Sequence, residues 1–236
     1  MERFERNVAV EGFGVSGQEK LRKARVLVVG AGGLGCPALL YLAAAGVGTL
    51  GVIDYDTVSL SNLQRQVLYA PVDIGRLKAD SAVEKLQRLY PDVCYRVHPY
   101  ALTEGNAAEL FRDYDFVVDG CDNYAAKFLI NDVCVRERKP FSHGAVVSLR
   151  GEVMTWAPGH ADYRAVFSAP PDEGSVPTPA DEGVLGSVAG LVGSIQATEA
   201  VKYLTGIGEL LVDRLLLIDG RTMCFRSLAI VPPVQL

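Results

Sequence analysis

The stretch Val28–Gly35 reads VVGAGGLG, in which an apolar run ends and a helical pattern begins. It fits the template G-x-G-x-x-G through Gly30, Gly32 and Gly35. In that template the first glycine permits a tight turn, the second lets the backbone approach a phosphate, and the third lets the helix pack on the strand. The N-terminus of the helix then presents N–H groups and the positive end of its dipole to an anion. The stretch therefore predicts a nucleotide-binding α/β unit without choosing the nucleotide.

Outward from this stretch, apolar runs alternate with segments of helical periodicity. Alternation of this kind predicts a doubly wound, Rossmann-like α/β fold with a mostly parallel sheet. We expect strands at 25–29, 49–54, 93–100 and 115–120, and helices at 36–46, 78–90 and 124–137. Beyond residue 140 the pattern predicts β structure over 140–159 with a turn near Arg150-Gly151, a helix at 187–206, and closing strands at 214–219 and 223–231.

The whole chain, 1–236, is predicted to form a single domain with three parts. Residues 1–24 form an N-terminal arm and helix, 25–139 the nucleotide-binding core, and 140–236 a β-containing lobe of the same domain. Within the lobe, residues 160–183 contain four prolines and several acidic residues. Loops of this length are more often functional or mobile than structural.

Composition excludes several classes of function. The formal net charge of −5 provides no basic field for nucleic acid, and no apolar run is long enough to span a bilayer. The charged N-terminus does not resemble a signal peptide. The five cysteines are scattered, which favours reduced thiols, a cytoplasmic location and no structural zinc. Any bound anion must therefore be held by local groups.

An acidic residue supports the glycine template. Asp54 ends the second predicted strand, where a carboxylate can accept hydrogen bonds from ribose hydroxyls. Up to this point NAD, FAD or any adenine nucleotide fits, and the template alone makes a dinucleotide-binding oxidoreductase the default. The next segment changes that balance, because Arg65 and Lys78 follow in order. A triphosphate site requires cations around developing negative charge, whereas a nicotinamide site needs few.

Neutral donors and carboxylates complete the candidate set. Asn62 and Gln64 add hydrogen-bonding side chains near Arg65, and DGCDN follows the strand at 115–120. Asp119 and Asp122 then lie beyond a strand end, where an Asp can hold Mg²⁺ against phosphate oxygens. Taken singly, the two cations could be ordinary solvated side chains, and Asp122 could cap the next helix. Their joint appearance in this order favours a triphosphate.

The ordered segments GAGGLG, IDYDTVSLSNLQRQ, GRLKAD and DGCDN closely resemble the ThiF/MoeB/HesA family of ubiquitin-activating-enzyme-like adenylyltransferases. The resemblance covers nearly the whole chain. It implies MgATP binding and attack on the α-phosphate by the C-terminal glycine carboxylate of a small ubiquitin-like sulfur carrier protein, which the lobe 140–236 with its loop 160–183 is expected to bind. An acyl-adenylate forms and pyrophosphate leaves. The pathway, whether thiamine, molybdopterin or another sulfur transfer, stays open.

The resemblance also assigns roles by position. It implies catalytic roles for Arg65, Lys78 and Asp122, with Asp122 as the Mg²⁺ ligand. An N-terminal arginine, Arg6, matches one that reaches the nucleotide across a dimer interface, which implies a homodimer with shared sites. Nucleotide-binding positions are Gly30, Gly32, Gly33, Gly35, Asp54, Asp56, Ser61, Asn62, Gln64 and Asn123.

The sequence departs from the family pattern in two places. Many relatives carry two C-x-x-C pairs for zinc, and neither YRAVF (163–167) nor the tail VPPVQL (231–236) contains a cysteine. Many also carry a cysteine in the loop that corresponds to SVPTPADEGVLG (175–186), where Pro179 stands near the expected position. No zinc is therefore expected, and a thioester or persulfide step through that loop is disfavoured. Cys121 is interpreted as a structural thiol, and the three histidines, His98, His143 and His160, as structural or surface residues.

Three other interpretations remain open. A dinucleotide-binding oxidoreductase would bind NADH or NADPH. A non-catalytic relative would bind a carrier without activating it. Within the family, a tRNA base or a peptide could replace the carrier as the adenylated group, although the acidic chain disfavours unaided tRNA binding.

Overall fold

A computed structural model describes residues 2–172, 175–176 and 179–231. Its centre is one eight-stranded sheet with the order β3-β2-β1-β4-β5-β6-β7-β8. Strands β1 to β5 run parallel, and β6, β7 and β8 pair antiparallel. The strands are β1 (Arg25–Val29), β2 (Thr49–Ile53), β3 (Cys94–His98), β4 (Phe116–Asp119), β5 (Phe141–Val147), β6 (Arg150–Trp156), β7 (Arg214–Asp219) and β8 (Cys224–Ala229). The prediction of a doubly wound, mostly parallel α/β fold is confirmed.

Helices cover both faces of the sheet. The described helices are α1 (Glu5–Val8), α2 (Gly14–Lys23), α3 (Gly35–Ala45), α4 (Lys78–Leu89), α5 (Glu104–Arg112), α6 (Tyr124–Arg136), α7 (Pro179–Glu182) and α8 (Gly186–Thr205). The helices predicted at 36–46, 78–90, 124–137 and 187–206 all form, with ends shifted by one residue. None of the described helices is long and apolar enough to cross a membrane.

Helix α5 was not predicted. It is short, and its buried apolar residues are only Ala107, Leu110 and Phe111. A local signal was present at its start, because the Asn106 side chain accepts a hydrogen bond from the Thr103 backbone N–H at 2.8 Å. An Asn three residues after a Thr is a capping arrangement that marks a helix N-terminus.

The turn predicted near Arg150-Gly151 lies two residues earlier. Val147 pairs with Arg150, so Ser148 and Leu149 form the turn, and Ser148 has φ of +55°. Gly151 lies within β6 instead. A Cβ added there would be 2.6 Å from a methyl carbon of Val192 on α8, so this glycine permits a close helix–strand contact. Gly151 therefore serves tight helix–strand packing. The sequence pattern alone does not distinguish such a glycine from one in a turn.

The predicted loop at 160–183 contains two short helical turns. One is a 3₁₀ turn at Tyr163–Ala165 and the other is α7, whose C-terminal end precedes a bridge between Ser148 and Val184. Residues 173–174 and 177–178 lie outside the described residues, as do 232–236 of the tail VPPVQL. Expectations that concern those positions are therefore not addressed by the structure.

Two apolar clusters, one on each face, fix the sheet between its helices. One includes Leu39, Leu42 and Leu86 from α3 and α4, and the other includes Phe111, Phe128 and Tyr163. Because β1, β2 and β4 run parallel, their carboxyl ends meet at one edge of the sheet. In open α/β sheets this edge is where ligands bind.

Candidate functional site

The glycine loop between β1 and α3 has the geometry that its template predicts. Gly30 has φ of +88°, and its N–H donates to the Ile53 carbonyl at 2.8 Å. A Cβ on Gly35 would lie 1.8 Å from the Gly30 carbonyl oxygen, so only glycine fits there. In the described part of the chain, the N–H groups of Gly32, Gly33 and Leu34 donate to no protein acceptor. These three donors precede the first turn of α3, an arrangement that suits a loop to bind an anion.

Asp54 holds this loop from the neighbouring strand. One carboxylate oxygen accepts from the Ala31 N–H at 2.8 Å, and the other accepts from the Asp56 N–H at 2.8 Å. Burial raises the pKa of the Asp54 carboxyl above its usual range. Asp54 also lines the cavity above the loop. It is therefore both a support for the glycine loop and a wall of the site.

The two cations reach the same cavity. Lys78 is buried, with 6% of its surface exposed, and its Nζ donates to an Asp56 carboxylate oxygen at 2.9 Å. Arg65 donates to the Ser61 carbonyl at 3.1 Å, and its Cδ would be 3.5 Å from a Cβ added to Gly33. The burial of Lys78 contradicts its interpretation as an ordinary solvated cation. Arg65 therefore lies beside the glycine loop, and Lys78 lines the same cavity.

The neutral polar residues of SNLQRQ make hydrogen bonds to other groups of the protein. The Asn62 side chain accepts from the Ser59 N–H at 3.1 Å, and Ser61 Oγ lies 3.0 Å from Ser59 Oγ. Gln64 donates to the Val184 carbonyl at 3.4 Å. Ser61, Asn62 and Gln64 are absent from the described cavity wall. They shape the turn that carries Arg65.

Asp122 and Asn123 follow β4 and line the cavity. The Asn123 side chain accepts from the Ala126 N–H at 2.9 Å and thereby caps α6. The interpretation of Asp122 as the cap of this helix is therefore wrong. Asp122 is exposed at the site edge.

Asp119 is not among the ligand-facing residues, contrary to expectation. It is 1% exposed, and one oxygen accepts from the Cys121 N–H at 3.0 Å. Its other oxygen accepts from Lys127 Nζ at 3.2 Å and lies 2.9 Å from His143 Nδ1. Asp119 is the last residue of β4 and pairs with His143 of β5. Its side chain therefore points into the helix–sheet layer.

Glu152 extends this buried group of charges towards the cavity. His143 Nε2 lies 3.3 Å from a Glu152 oxygen, and Lys127 Nζ also donates to the Gly144 carbonyl at 2.6 Å. Burial acts to raise the pKa of Asp119, but Lys127 and His143 outweigh it and lower that pKa. The pKa of Glu152 is likewise lowered, since contact with His143 outweighs burial. We call Asp119, Lys127, His143 and Glu152 the buried charge cluster.

Cys121 lies beside Asp122 at the cavity wall. Burial raises the pKa of its thiol well above the usual range, and the Asp119 carboxylate adds to the effect. The nucleophilic form of cysteine is the thiolate. Cys121 is therefore poorly suited to attack, which agrees with its interpretation as a structural thiol.

Arg6 lies apart from the other predicted residues. It is exposed on α1 and does not line the cavity. The neighbouring Phe4 would contact a Cβ added to Gly46 at 2.6 Å, so the arm packs against the C-terminal end of α3. His98 contacts the hydroxyls of Tyr100 and Tyr114, and His160 contacts Asp213.

The cavity is larger than a nucleotide needs. Its volume is about 2150 Å³, against roughly 300–1,000 Å³ for small-molecule pockets. It continues from the glycine loop to the β5–β6 turn, the 160–172 segment and the open face of β7 and β8. The sequence did not point to the residues of this far part, because no motif marks them. They include Arg150, Arg164, Phe167, Leu217, Arg221 and Arg226.

Comparisons with known proteins identify the family of the chain. The family model described as the ThiF family matches residues 4–235. The probable adenylyltransferase/sulfurtransferase MoeZ of Mycobacterium tuberculosis is 44% identical over 233 residues, which are 97% of this chain and 59% of MoeZ. The adenylyltransferase and sulfurtransferase MOCS3 of Anopheles gambiae is 44% identical over 231 residues, 98% of this chain and 52% of that protein. The chain thus spans little more than half the length of these curated relatives.

Solved structures support the fold. E. coli MccB in a crystal structure with ATP superposes with a TM-score of 0.85 at 20% identity, covering 100% of this chain and 73% of MccB. PaaA superposes with a TM-score of 0.81 at 24% identity, covering 97% and 73% of the two chains. At these identities the likeness concerns the fold alone.

Proposed function

Because the chain belongs to the ThiF family, we propose that it is an ATP-dependent adenylyltransferase. Its substrate is the C-terminal glycine carboxylate of a small ubiquitin-like sulfur carrier protein, which it activates as an acyl-adenylate. The observation that carries the proposal is one juxtaposition. One cavity is lined by Arg65, Lys78 and Asp122 together with Gly32 and Gly33, whose N–H groups have no acceptor in the described part of the chain.

The proposed reaction follows from these charges. A carboxylate oxygen of the carrier forms a bond to the α-phosphorus, and the bond from that phosphorus to the bridging oxygen breaks. Pyrophosphate leaves with the electron pair of the broken bond. The attacking carboxylate is ionised near neutral pH, so no general base is required. The main task of the protein is to stabilise charge on the phosphates, for which Arg65, Lys78 and the loop N–H groups are suited.

Asp122 is the residue that we assign to Mg²⁺. Magnesium is commonly held by one or two carboxylates together with substrate phosphates, so an exposed carboxylate at the site edge fits it. No group of three His, Cys, Asp or Glu side chains that could hold a metal occurs among the described residues. Asp54 already accepts two backbone N–H groups. When bound, the ion would neutralise phosphate charge.

We assign the far part of the cavity to the carrier tail. Its walls come from the β5–β6 turn, the 160–172 segment and the β7–β8 face. Arg221 and Arg226 line this part and could attract a carboxylate-bearing chain end. The proposed carrier-binding lobe is thus 140–236, and the core 25–139 binds ATP. A homodimer in which Arg6 completes the partner's site, and a cytoplasmic location, belong to the same proposal.

The cation set argues against the oxidoreductase alternative. Lys78 is buried beside the phosphate loop at the cost of desolvation, which Asp56 offsets by an ion pair. Such an arrangement suits a polyphosphate better than a nicotinamide. A peptide or a tRNA base in place of the carrier remains an outcome for experiment to decide.

The decisive experiment is ATP–pyrophosphate exchange, with and without a candidate carrier that ends in Gly-Gly. Exchange that requires the carrier supports the proposal. Tight NADH binding without exchange for any carrier would refute it. Arg65→Ala is expected to lower exchange by roughly 10²–10³-fold. Arg88→Ala is the matched control, because Arg88 is a surface cation paired with Glu84 on α4. Equal exchange by both variants would remove the phosphate-binding role of Arg65.

A further inference from the structure

Tyr69 joins two parts of the candidate ATP site without lining it. Its ring is buried, with 7% exposed, in the segment that follows Arg65. Its hydroxyl lies 2.8 Å from the Ala31 carbonyl oxygen and 3.2 Å from the Lys78 carbonyl oxygen. Ala31 belongs to the glycine loop, and Lys78 is the first residue of α4. One hydroxyl group therefore bridges the phosphate loop and the helix that begins with the phosphate cation.

The contact with Ala31 fixes the direction of a neighbouring donor. The peptide unit is planar and trans, so the Ala31 carbonyl and the Gly32 N–H point in opposite directions. The Ala31 carbonyl is turned into the protein, where it accepts from Tyr69, and the Cys36 thiol lies 3.3 Å away. The Gly32 N–H is then directed outward. Gly32 lines the cavity, and its N–H has no acceptor in the described part of the chain.

The contact with Lys78 fixes the start of α4. The Lys78 N–H donates to the Asp56 carbonyl at 2.8 Å, and its Nζ donates to the Asp56 carboxylate. With the Lys78 carbonyl 3.2 Å from the Tyr69 hydroxyl, the main chain of this residue is held on both sides. The position of the ammonium group relative to the loop thus depends on these three contacts, one of which is made by the Tyr69 hydroxyl.

The Tyr69 hydroxyl is a donor that persists at ordinary pH. Burial raises the pKa of the phenol far above its usual range, and neighbouring Cys36 and Asp54 act in the same direction. A phenol has one hydrogen, which the two carbonyl oxygens share. Replacement by phenylalanine would keep the buried ring and remove only this bridge.

We infer that Tyr69 is a positioning residue for the triphosphate: its hydroxyl sets the Gly32 N–H and the Lys78 ammonium in the arrangement that binds phosphate. The inference rests on the proposed function, because it concerns the same nucleotide site. Tyr69 does not itself line the cavity, so its effect is transmitted through its contacts with Ala31 and Lys78. It should therefore act on the phosphates of ATP and not on the adenosine half.

The test compares Tyr69→Phe with the wild-type chain in nucleotide binding. Dissociation constants are measured by titration calorimetry for ATP with Mg²⁺, and by competition for adenosine. We expect the ATP constant to rise about three- to ten-fold, the factor that one net hydrogen bond corresponds to. The adenosine constant should change less than about two-fold. In ATP–pyrophosphate exchange the KM for ATP should rise more than kcat falls.

Tyr95→Phe is the matched control. The Tyr95 hydroxyl also lies between two carbonyls, of Leu86 at 3.2 Å and Tyr90 at 3.1 Å, at the other end of α4. Tyr95→Phe also removes one phenol hydroxyl but leaves the contacts of the glycine loop unchanged. The ATP affinity of this variant should therefore equal that of the wild type. Thermal unfolding of both variants identifies any general loss of fold.

Each outcome bears on a stated claim. Equal ATP affinity of Tyr69→Phe and wild type would overturn the positioning role while leaving the proposed function intact. Equal weakening for ATP and adenosine, or the same weakening in Tyr95→Phe, would identify a merely structural role and would also overturn it. A wild-type chain that binds no ATP would overturn the proposed function, and the positioning role with it.

Discussion

Lys127→Met is the substitution for which the structure gives the sharpest expectation. Lys127 is 5% exposed and is bonded to Asp119, which is 1% exposed. Methionine preserves most of the side-chain length but leaves the Asp119 carboxylate buried without its ammonium partner. Removal of one partner from a buried ion pair costs about 3–5 kcal/mol. At about 2–4 °C per kcal/mol for a chain of this size, Tm should fall by about 6–20 °C.

Scanning calorimetry at neutral pH measures this change, and Arg112→Met provides the control. Arg112 also donates to a carboxylate, Glu137, at 2.9 Å, but its side chain is 66% exposed. An exposed pair contributes about 0–1 kcal/mol, so this variant should lose no more than about 4 °C. Equal losses for the two variants would contradict the idea that burial determines the contribution of the pair.

The stability lost in Lys127→Met is expected to depend on pH. In the native chain the pKa of Asp119 is lowered, with Lys127 and His143 outweighing burial. A lowered native pKa gives stability that is present above the unfolded value, about 3.9, and is lost as pH falls through the native value. The stability difference between wild type and Lys127→Met should therefore narrow below about pH 4. A difference that stays constant from neutral to acid pH would refute the assignment to this ion pair.

Five further outcomes are expected. Gly35→Ala should abolish folding to the native state, because its Cβ would lie 1.8 Å from a backbone oxygen; soluble, cooperatively unfolding protein would contradict this. Ser148→Gly should raise the free energy of unfolding by up to about 1 kcal/mol, by relieving a positive φ, whereas Gly151→Ala should lower it through contact with α8. Denaturant unfolding measures both free energies. A loss of stability for Ser148→Gly together with a gain for Gly151→Ala would place the turn at Gly151 instead. Mixed Arg6→Ala and Asp122→Ala subunits should regain part of the exchange activity if sites are shared, and no recovery would count against shared sites. Chelation of divalent cations by EDTA should weaken ATP binding measured by calorimetry, and unchanged affinity would remove the proposed Mg²⁺ role.

The sequence predicted those elements whose signal is local. The strands and helices around VVGAGGLG were found because each one has its own apolar periodicity and glycine spacing. The turn at Ser148 and Leu149 was misplaced because the nearby glycine serves a contact with Val192, over 40 positions away in the chain. Contacts of that kind depend on tertiary packing, which local patterns do not contain.

The same reasoning explains the outcome at DGCDN. Asp119 and Asp122 both follow an apolar run, and the pattern assigned both to the ligand edge. The register of β4 and β5 places Asp119 opposite His143, and Lys127 of α6 completes the neutralisation. With Glu152 of β6, four segments that are separate in the sequence make this buried charge cluster. Of the two aspartates, only Asp122, which lies three residues beyond the strand end, lines the cavity.

The charges in the site explain why the glycine template alone does not identify the nucleotide. Near the phosphate loop the cavity is lined by two cations, Arg65 and Lys78, and by three carboxylates, Asp54, Asp56 and Asp122. Asp54 accepts from backbone N–H groups, an arrangement that serves a dinucleotide or a triphosphate loop equally, and Asp56 is paired with Lys78. Asp122 is different, because an exposed carboxylate beside an anion site repels a bare polyphosphate. It becomes favourable once a divalent cation lies between the two, since the ion then attracts both. The features that favour a metal–triphosphate site over a dinucleotide site are therefore the two cations and this exposed acid, and not the glycines.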